Sequence, residues 1–303
     1  MSTQNLRVVR PHAITPPMLI STNVLENDYA EWSAATSYGV GDRVMVTSQH
    51  KIYQSLSASN QNKPPALSVA DWVEVGPTNR WKAFDTSNST QTKRAGLISY
   101  RIRPGAAVHA VAALNLTEAT SIRVRVNDPL LGTIYDVTTP LAGQLITSSW
   151  WDWFFGPRTQ PKQAVLTNLP SAPSADILVD IEGNDGLAVG VIALGQLRTF
   201  SLGVQRGARI GIQDYSRKER NEFGDAIFVE RAFARRASFS MLLQASEVDA
   251  FNDFLADVRA VPCLWIGSNK YEATTVYGFY KSFDIVLSYS DFSDCELELE
   301  GLT

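Results

Sequence analysis

The sequence has few cysteines, few histidines and no long hydrophobic run. Cys263 and Cys295 are the only cysteines among 303 residues, which is too few for a disulfide framework or a zinc site. We therefore expect two buried, unpaired thiols. The alternative is a bridge between them, which is geometrically possible because both lie on predicted strands of the last segment. The three histidines stand in no metal-ligand or nucleophile spacing, so no metal is expected.

The chain also lacks a strong charge of either sign. Its formal net charge is -4 and its sequence pI is about 5.5, so no global positive field is present to bind phosphate backbones or anionic lipid. No glycine-rich phosphate loop is found, and the longest nearly apolar stretch, residues 187–195, is too short to span a bilayer. We expect no cofactor, no nucleic-acid partner and no membrane insertion.

What the chain does have is enough length and apolar content for several cores. Hydrophobic residues make up 45% of 303 positions, and a chain of this length usually divides into domains. We predict a mainly β, multidomain protein with four segments: an extended arm (1–30), a small aromatic β module (31–76), a jelly-roll-like β-sandwich (79–213) and a C-terminal α+β domain with one helix (214–303).

Period-two alternation supports the central β-sandwich. Ile122, Val124 and Val126 alternate with polar residues, as in a half-buried strand. Further strands are predicted at residues 96–102, 107–114, 132–137, 176–182 and 187–194. The last two are separated by Gly183-Asn184-Asp185-Gly186, which predicts a tight hairpin turn.

The C-terminal segment changes from strands to a helix and back. Residues 246–259 place Val248, Phe251, Leu255 and Val258 on one helical face, with Ser246 as the predicted N-cap. Strands are predicted at 227–243, 274–279, 283–289 and 295–300. In the last of these, Cys295, Leu297 and Leu299 alternate with glutamates, which predicts one buried face and one acidic face.

The aromatic module carries a recognisable pattern of rings and turn residues. The residues are Trp32, Tyr38, Gly41, Asp42, Val44, Tyr53, Pro64 and Trp72. In this order they resemble the carbohydrate-binding modules of families 5 and 12, known from chitinases. The resemblance implies a sugar site formed by Trp32, Tyr38 and Trp72, with Trp32 and Trp72 exposed and Tyr53 in the core. The alternative is a mini-domain that serves as a spacer or packing element.

A wider resemblance covers most of the chain. It rests on Ile14-Thr15-Pro16 and Ser21-Thr22-Asn23-Val24 before the module, Thr78-Asn79-Arg80-Trp81-Lys82-Ala83-Phe84-Asp85 after it, and Tyr215-Ser216-Arg217-Lys218-Glu219, Glu222-Phe223-Gly224-Asp225 and Val229-Glu230-Arg231 further on. This arrangement is similar to a family of tail proteins of double-stranded DNA phages. It implies a place in the tail tip or baseplate, with copies around the tail axis, and assigns no catalytic residue.

Two further features leave alternatives open. Trp150, Trp151, Trp153, Phe154 and Phe155 cluster before Gly156-Pro157 and fit a sandwich core, an intersubunit contact or a sugar platform. Asp176 and Asp180 could form the carboxylate pair of a glycosidase, or they could be solvated residues near the ends of a strand.

These observations favour a structural protein of the virion, a tail-tip or baseplate component that is not an enzyme. Its expected partners are other tail or baseplate proteins, copies of itself and bacterial surface polysaccharide, and it would be made in the host bacterial cytoplasm. One alternative is a host-recognition lectin without a structural role, in which several copies reinforce weak glycan sites for host attachment. A glycan hydrolase with a binding module is the other.

Overall fold

The computed structural model describes residues 4–141, 149–155, 160–205, 207–220, 222, 225–268, 271–287 and 289–302. In chain order the strands are β1 (Gln4–Pro11), β2 (Leu19–Thr22), β3 (Ser37–Tyr38), β4 (Arg43–Val46), β5 (Lys51–Ser55), β6 (Asn60–Gln61), β7 (Trp72–Pro77), β8 (Thr92–Lys93), β9 (Leu97–Ile102), β10 (Ala110–Leu114), β11 (Thr117–Asp128), β12 (Gly132–Pro140), β13 (Gln163–Thr167), β14 (Asp176–Val189), β15 (Val191–Val204), β16 (Arg209–Asp214), β17 (Arg217–Arg220), β18 (Ala226–Val229), β19 (Phe233–Gln244), β20 (Cys263–Ile266), β21 (Thr275–Val286) and β22 (Phe292–Gly301).

Helices are few in the described residues. The α-helices are α1 (Trp150–Phe155) and α2 (Val248–Asp257), and short 3-10 turns lie at Pro16–Met18, Lys82–Phe84, Ala245–Glu247 and Glu272–Thr274. The predicted mainly β class is confirmed. Among the described residues, no helix is both long and apolar enough to cross a bilayer.

The chain divides into two compact units. The first contains residues 1–12, 107–110 and 194–303, and the second contains residues 13–106 and 111–193. These units group the chain differently from the four predicted segments, whose boundaries stay a prediction. In particular, residues 4–11 of the predicted arm form β1, which pairs with β15 on one side and with β20 on the other.

The first unit is built on a curled antiparallel sheet. Its strand order is β15-β1-β20-β21-β22-β19-β16, and β19 also pairs with β15 at Leu242 and Met241. Because β19 meets β16 and β15 along the same edge, the sheet bends back on itself at a short seam. The predicted strands at 274–279 and 283–289 are one strand, β21, with an irregularity between Tyr280 and Ser282.

The core of this unit lies between the sheet and α2. Phe251, Phe254 and Leu255 of the helix are buried together with Phe239 and Trp265 of the sheet. The predicted helix is confirmed, but the predicted N-cap is wrong. Residues 245–247 form a 3-10 turn, so the α-helix begins at Val248 and Glu247 occupies the cap position without a side-chain hydrogen bond.

The last strand follows its predicted alternation. Cys295, Leu297 and Leu299 of β22 are buried, and the glutamates between them point outward. Cys263 and Cys295 are buried free thiols. Burial raises the pKa of both thiols to about 12, so neither is a thiolate near neutral pH.

The second unit contains a sheet with the order β12-β11-β14-β9-β2, in which β8 also pairs with β14. Ile122, Val124 and Val126 of β11 are buried as predicted. Whether this unit is a jelly-roll-like sandwich stays a prediction.

The predicted hairpin at Gly183–Gly186 is wrong, because β14 continues through it to Val189. Gly183 pairs with Ala119 and Ala188 pairs with Thr117, so five residue steps on β14 lie opposite two on β11. This is a bulge and not a turn. A Cβ on Gly183 would lie 2.3 Å from the carbonyl oxygen of Glu118, so the glycine permits close backbone approach and does not supply a left-handed turn.

Candidate functional site

The aromatic module combines a three-stranded sheet, β4-β5-β7, with the short pair β3-β6. Its core contains Tyr38, Val44, Tyr53 and Trp72. A module this small can bury little aliphatic surface, so large rings supply most of its core. Tyr53 lies in this core, as predicted.

Trp72 is also part of this core, so its predicted exposure is wrong. Only 3% of its surface is exposed. Its ring meets Tyr38 edge to face with centroids 5.3 Å apart, and its Nε1 donates to the carbonyl oxygen of Lys63 over 2.9 Å. Both Trp72 and Tyr38 are therefore occupied in packing, and neither presents a free ring face in this conformation.

Trp32 is the third residue of the predicted sugar site. It is partly buried and packs against the module core. Its backbone N–H donates to Met45, and its buried indole Nε1 has no hydrogen-bond partner within the described part of the chain. Of the three predicted rings, Trp32 is the one with ring surface left for another molecule.

Polar contacts fasten the two ends of the module together. The Glu26 carboxylate, with a side chain only 7% exposed, accepts hydrogen bonds from His50 Nδ1 at 2.7 Å and Thr78 Oγ1 at 2.6 Å and forms an ion pair with Arg80 at 2.9 Å. Because a buried carboxylate requires such partners, Glu26 fixes the residues before and after the module. We call this set the clasp.

Asp28 adds two further contacts between the same segments. Its carboxylate accepts from the backbone N–H of Asn79 at 2.8 Å and pairs with Lys82 Nζ at 3.1 Å. The stretch from Thr78 to Lys82 belongs to the wider resemblance. These contacts give it a structural role, because its residues bind Glu26 and Asp28. His50 contacts Glu26, and its ring packs against Trp81 with the centroids 4.7 Å apart.

Beside the clasp lies a pocket of about 230 Å³. Its lining includes residues with charged or polar side chains and residues with apolar side chains or backbone only: Asp28, Tyr29, Arg43, Lys82 and Thr90, with Ile52, Val75, Gly76 and Pro77. A lining that combines hydroxyl, carboxylate and cationic groups with an aromatic ring is of the kind that recognises polar ligands such as sugars.

Tyr29 and Arg43 of this lining contact each other. The Arg43 guanidinium lies 5.9 Å from the Tyr29 ring centroid and donates from Nη1 to the Tyr29 hydroxyl at 3.1 Å. It also donates to Gln54 at 3.0 Å. Neither residue was predicted as part of a site, because Tyr29 stands just outside the aromatic pattern and Arg43 lies beside core residues of β4.

The second aromatic feature is α1. Its five rings, Trp150, Trp151, Trp153, Phe154 and Phe155, are between 50% and 80% exposed and contact one another. The sandwich-core interpretation is therefore wrong, and the intersubunit and sugar-platform interpretations stay predictions. Gly156-Pro157, which bounds the cluster in sequence, lies outside the described residues, as does Phe223-Gly224.

Asp176 and Asp180 are held in ion pairs. The Asp176 side chain is 4% exposed and contacts Arg101 Nη2 and Arg103 Nε, each at 2.6 Å. Asp180 pairs with Arg125 at 2.6 Å and accepts from Ser99 at 2.5 Å. Asp176 is therefore not the solvated residue of the second interpretation.

The charge state of Asp176 also differs from that of a glycosidase acid. Burial acts to raise its pKa, but the hydrogen bonds from Arg103 and Arg101 outweigh burial and lower it. A general acid needs a raised pKa, so Asp176 is unsuited to that role.

Within the described residues, no group of three or more His, Cys, Asp or Glu side chains could hold a metal ion. Comparison of the chain with models of known protein families, with curated proteins and with solved structures found no match.

Proposed function

We propose that this chain is a structural component of a phage tail tip or baseplate, with the aromatic module and its pocket in contact with host-surface glycans. The resemblance of the arm, the module and the stretch from Thr78 to Asp85 supports the tail assignment. The role is one of assembly and attachment, without a catalytic step.

The observation that carries the assembly role is the exposure of α1. Five large rings within six residues are mostly uncovered by the described part of the chain. Contiguous exposed apolar surface of this kind is typical of interaction sites, and tryptophan is enriched among the residues that dominate protein interfaces. A neighbouring tail protein would cover these rings.

The test is to label purified phage particles with an antibody against this chain and to locate the gold by electron microscopy. Gold at the distal end of the tail is the expected result. Particles that stay unlabelled, while control antibodies against other tail proteins bind, would remove the structural role.

Glycan contact is favoured by the pocket beside the clasp. Tyr29 is 37% exposed, and Asp28, Arg43, Lys82 and Thr90 of the same lining carry hydrogen-bonding groups. Sugars combine apolar C–H faces with hydroxyls, so a ring flanked by polar groups suits them. This placement differs from the predicted site at Trp32, Tyr38 and Trp72.

Substitution of Tyr29 by Ala is expected to weaken retention on host-envelope polysaccharide about tenfold, because an aromatic anchor of a binding site typically contributes more than 1 kcal/mol. Affinity electrophoresis measures the retention. Tyr271→Ala, at an exposed tyrosine of the other unit, is the control and should leave retention unchanged. Equal retention of the Tyr29→Ala variant and the parent protein would exclude the pocket as the glycan site.

A further inference from the structure

The β17–β18 hairpin of the first unit is an uncovered element. Its strands, Arg217–Arg220 and Ala226–Val229, form a sheet of two strands, and all eight residues are exposed. An isolated two-stranded hairpin is marginally stable in water and gains stability when one face is packed. Both faces of this hairpin are therefore accessible to another molecule.

One face of the hairpin is both apolar and cationic. Lys218 lies opposite Phe228 and Arg220 lies opposite Ala226, so these four residues share a face. Phe228 is 73% exposed. Lys218 contacts Asp214 at 2.6 Å, while Arg217 on the other face pairs with Glu219. We call the surface formed by Lys218, Arg220, Ala226 and Phe228 the Phe228 face. A ligand for this face would combine apolar and acidic groups.

Basic and acidic residues are unevenly distributed along the sequence of this unit. Residues 198–236, which include the hairpin, contain nine Lys and Arg against five Asp and Glu. Residues 247–300 contain three Lys and Arg against eleven Asp and Glu. Residues 198–236 therefore carry a net positive charge and residues 247–300 a net negative charge. The positive range of one copy would attract the negative range of another.

The negative charge is concentrated on the outer face of β21 and β22. Asp284 lies directly opposite Glu296, and like charges in that position destabilise a sheet. Asp294 and Glu298 point to the same side of β22. We call these four residues the acidic face. Leu287 and Tyr289, just beyond β21, are exposed, so apolar surface follows this strand in the chain.

We propose that copies of this chain associate head to tail, with the Phe228 face of the β17–β18 hairpin of one copy covering the acidic face of the next. Lys218 and Arg220 relieve the repulsion between Asp284 and Glu296, and Phe228 packs toward Leu287 and Tyr289. The two surfaces differ, so the contact is heterologous and produces a ring when the rotation closes. This proposal rests on the assembly role proposed above, and the partner is a second copy of the chain.

Sedimentation of the purified full chain over a range of protein and salt concentrations tests this contact. The parent protein is expected to self-associate, and more weakly as salt rises, since the contact includes exposed charges. Phe228→Ala should raise the dissociation constant at least tenfold without lowering the melting temperature. Leu130→Ala, at an exposed leucine of the other unit, is the matched control and should leave association unchanged.

A charge exchange makes the test specific. Arg220→Glu and Glu296→Lys should each weaken association about tenfold, and the chain carrying both changes should return to within about threefold of the parent, because each new charge then faces its opposite. A parent protein that is monomeric at every concentration would overturn the contact, as would variants that associate like the parent. Gold labelling of the tail would stand in either case, so failure of this contact is separable from failure of the tail assignment.

Discussion

The double substitution Arg101→Ala and Arg103→Ala is expected to lower the free energy of unfolding by about 3–5 kcal/mol at neutral pH. The Asp176 carboxylate is buried and has its two ion pairs with these arginines. Removal of both cations leaves a charge in a poorly solvated site, and that loss is larger than the loss of a surface ion pair.

The pH dependence of this variant should have the opposite sign to that of the parent protein. In the parent, the arginines lower the pKa of Asp176, so its contribution to stability is present above the unfolded pKa of about 3.9 and is lost as the pH falls through the folded value. Without the arginines, burial raises the pKa. The protonated form then stabilises the variant at low pH, and this stabilisation is lost as the pH rises through the raised value.

Urea denaturation at several pH values between 3 and 8 measures both effects. Arg123→Ala is the control, because its partner Asp136 is well exposed and the expected loss is below about 1 kcal/mol. Addition of Asp176→Asn to the double variant should recover part of the lost stability, since the unpaired charge is gone. If the difference in stability between the double variant and the parent is the same at every pH, the buried ion pairs do not hold Asp176 ionised.

Trp265→Ala is expected to lower the free energy of unfolding by about 3–5 kcal/mol. Trp265 is fully buried in the core of the first unit, where it contacts Phe254 at 6.5 Å between ring centroids and donates from Nε1 to the carbonyl oxygen of Gly278. The substitution leaves a cavity and an unsatisfied carbonyl, and each of these adds to the loss of apolar burial.

Trp151→Ala provides the matched control, since this tryptophan of α1 is 71% exposed. Its expected effect on unfolding is within about 0.5 kcal/mol. Thermal and urea denaturation of both variants give the comparison. A loss for Trp151→Ala as large as that for Trp265→Ala would mean that α1 is packed in the free protein, which would remove the observation that carries the assembly role.

Alternation along single strands was predictable from the sequence, because a half-buried strand imposes period two on its residues. Ile122, Val124 and Val126 followed this rule, and so did Cys295, Leu297 and Leu299. The helix after Ser246 was predictable for the same reason, with a period of 3.6. These patterns depend only on neighbouring residues.

The errors arose where distant segments decide the outcome. Gly183 resembles a turn residue, but the approach of Glu118 makes it part of a bulge. Trp72 resembles an exposed sugar ligand, but a module this small needs its ring for a core. Glu26 and Tyr29 were missed because their importance comes from residues that lie about 14 to 54 positions away in sequence.

The position of β1 in its sheet constrains the order in which the two units can fold during synthesis. Residues 4–11 leave the ribosome well before their neighbours in the sheet, β15 and β20, which lie nearly 200 and more than 250 residues later. Loop closure over such distances is slow. The second unit, whose residues 13–106 and 111–193 are all made earlier, can therefore form while the nascent β1 is still unpaired. The sheet of the first unit can be completed only later, after β15 and β20 have been made.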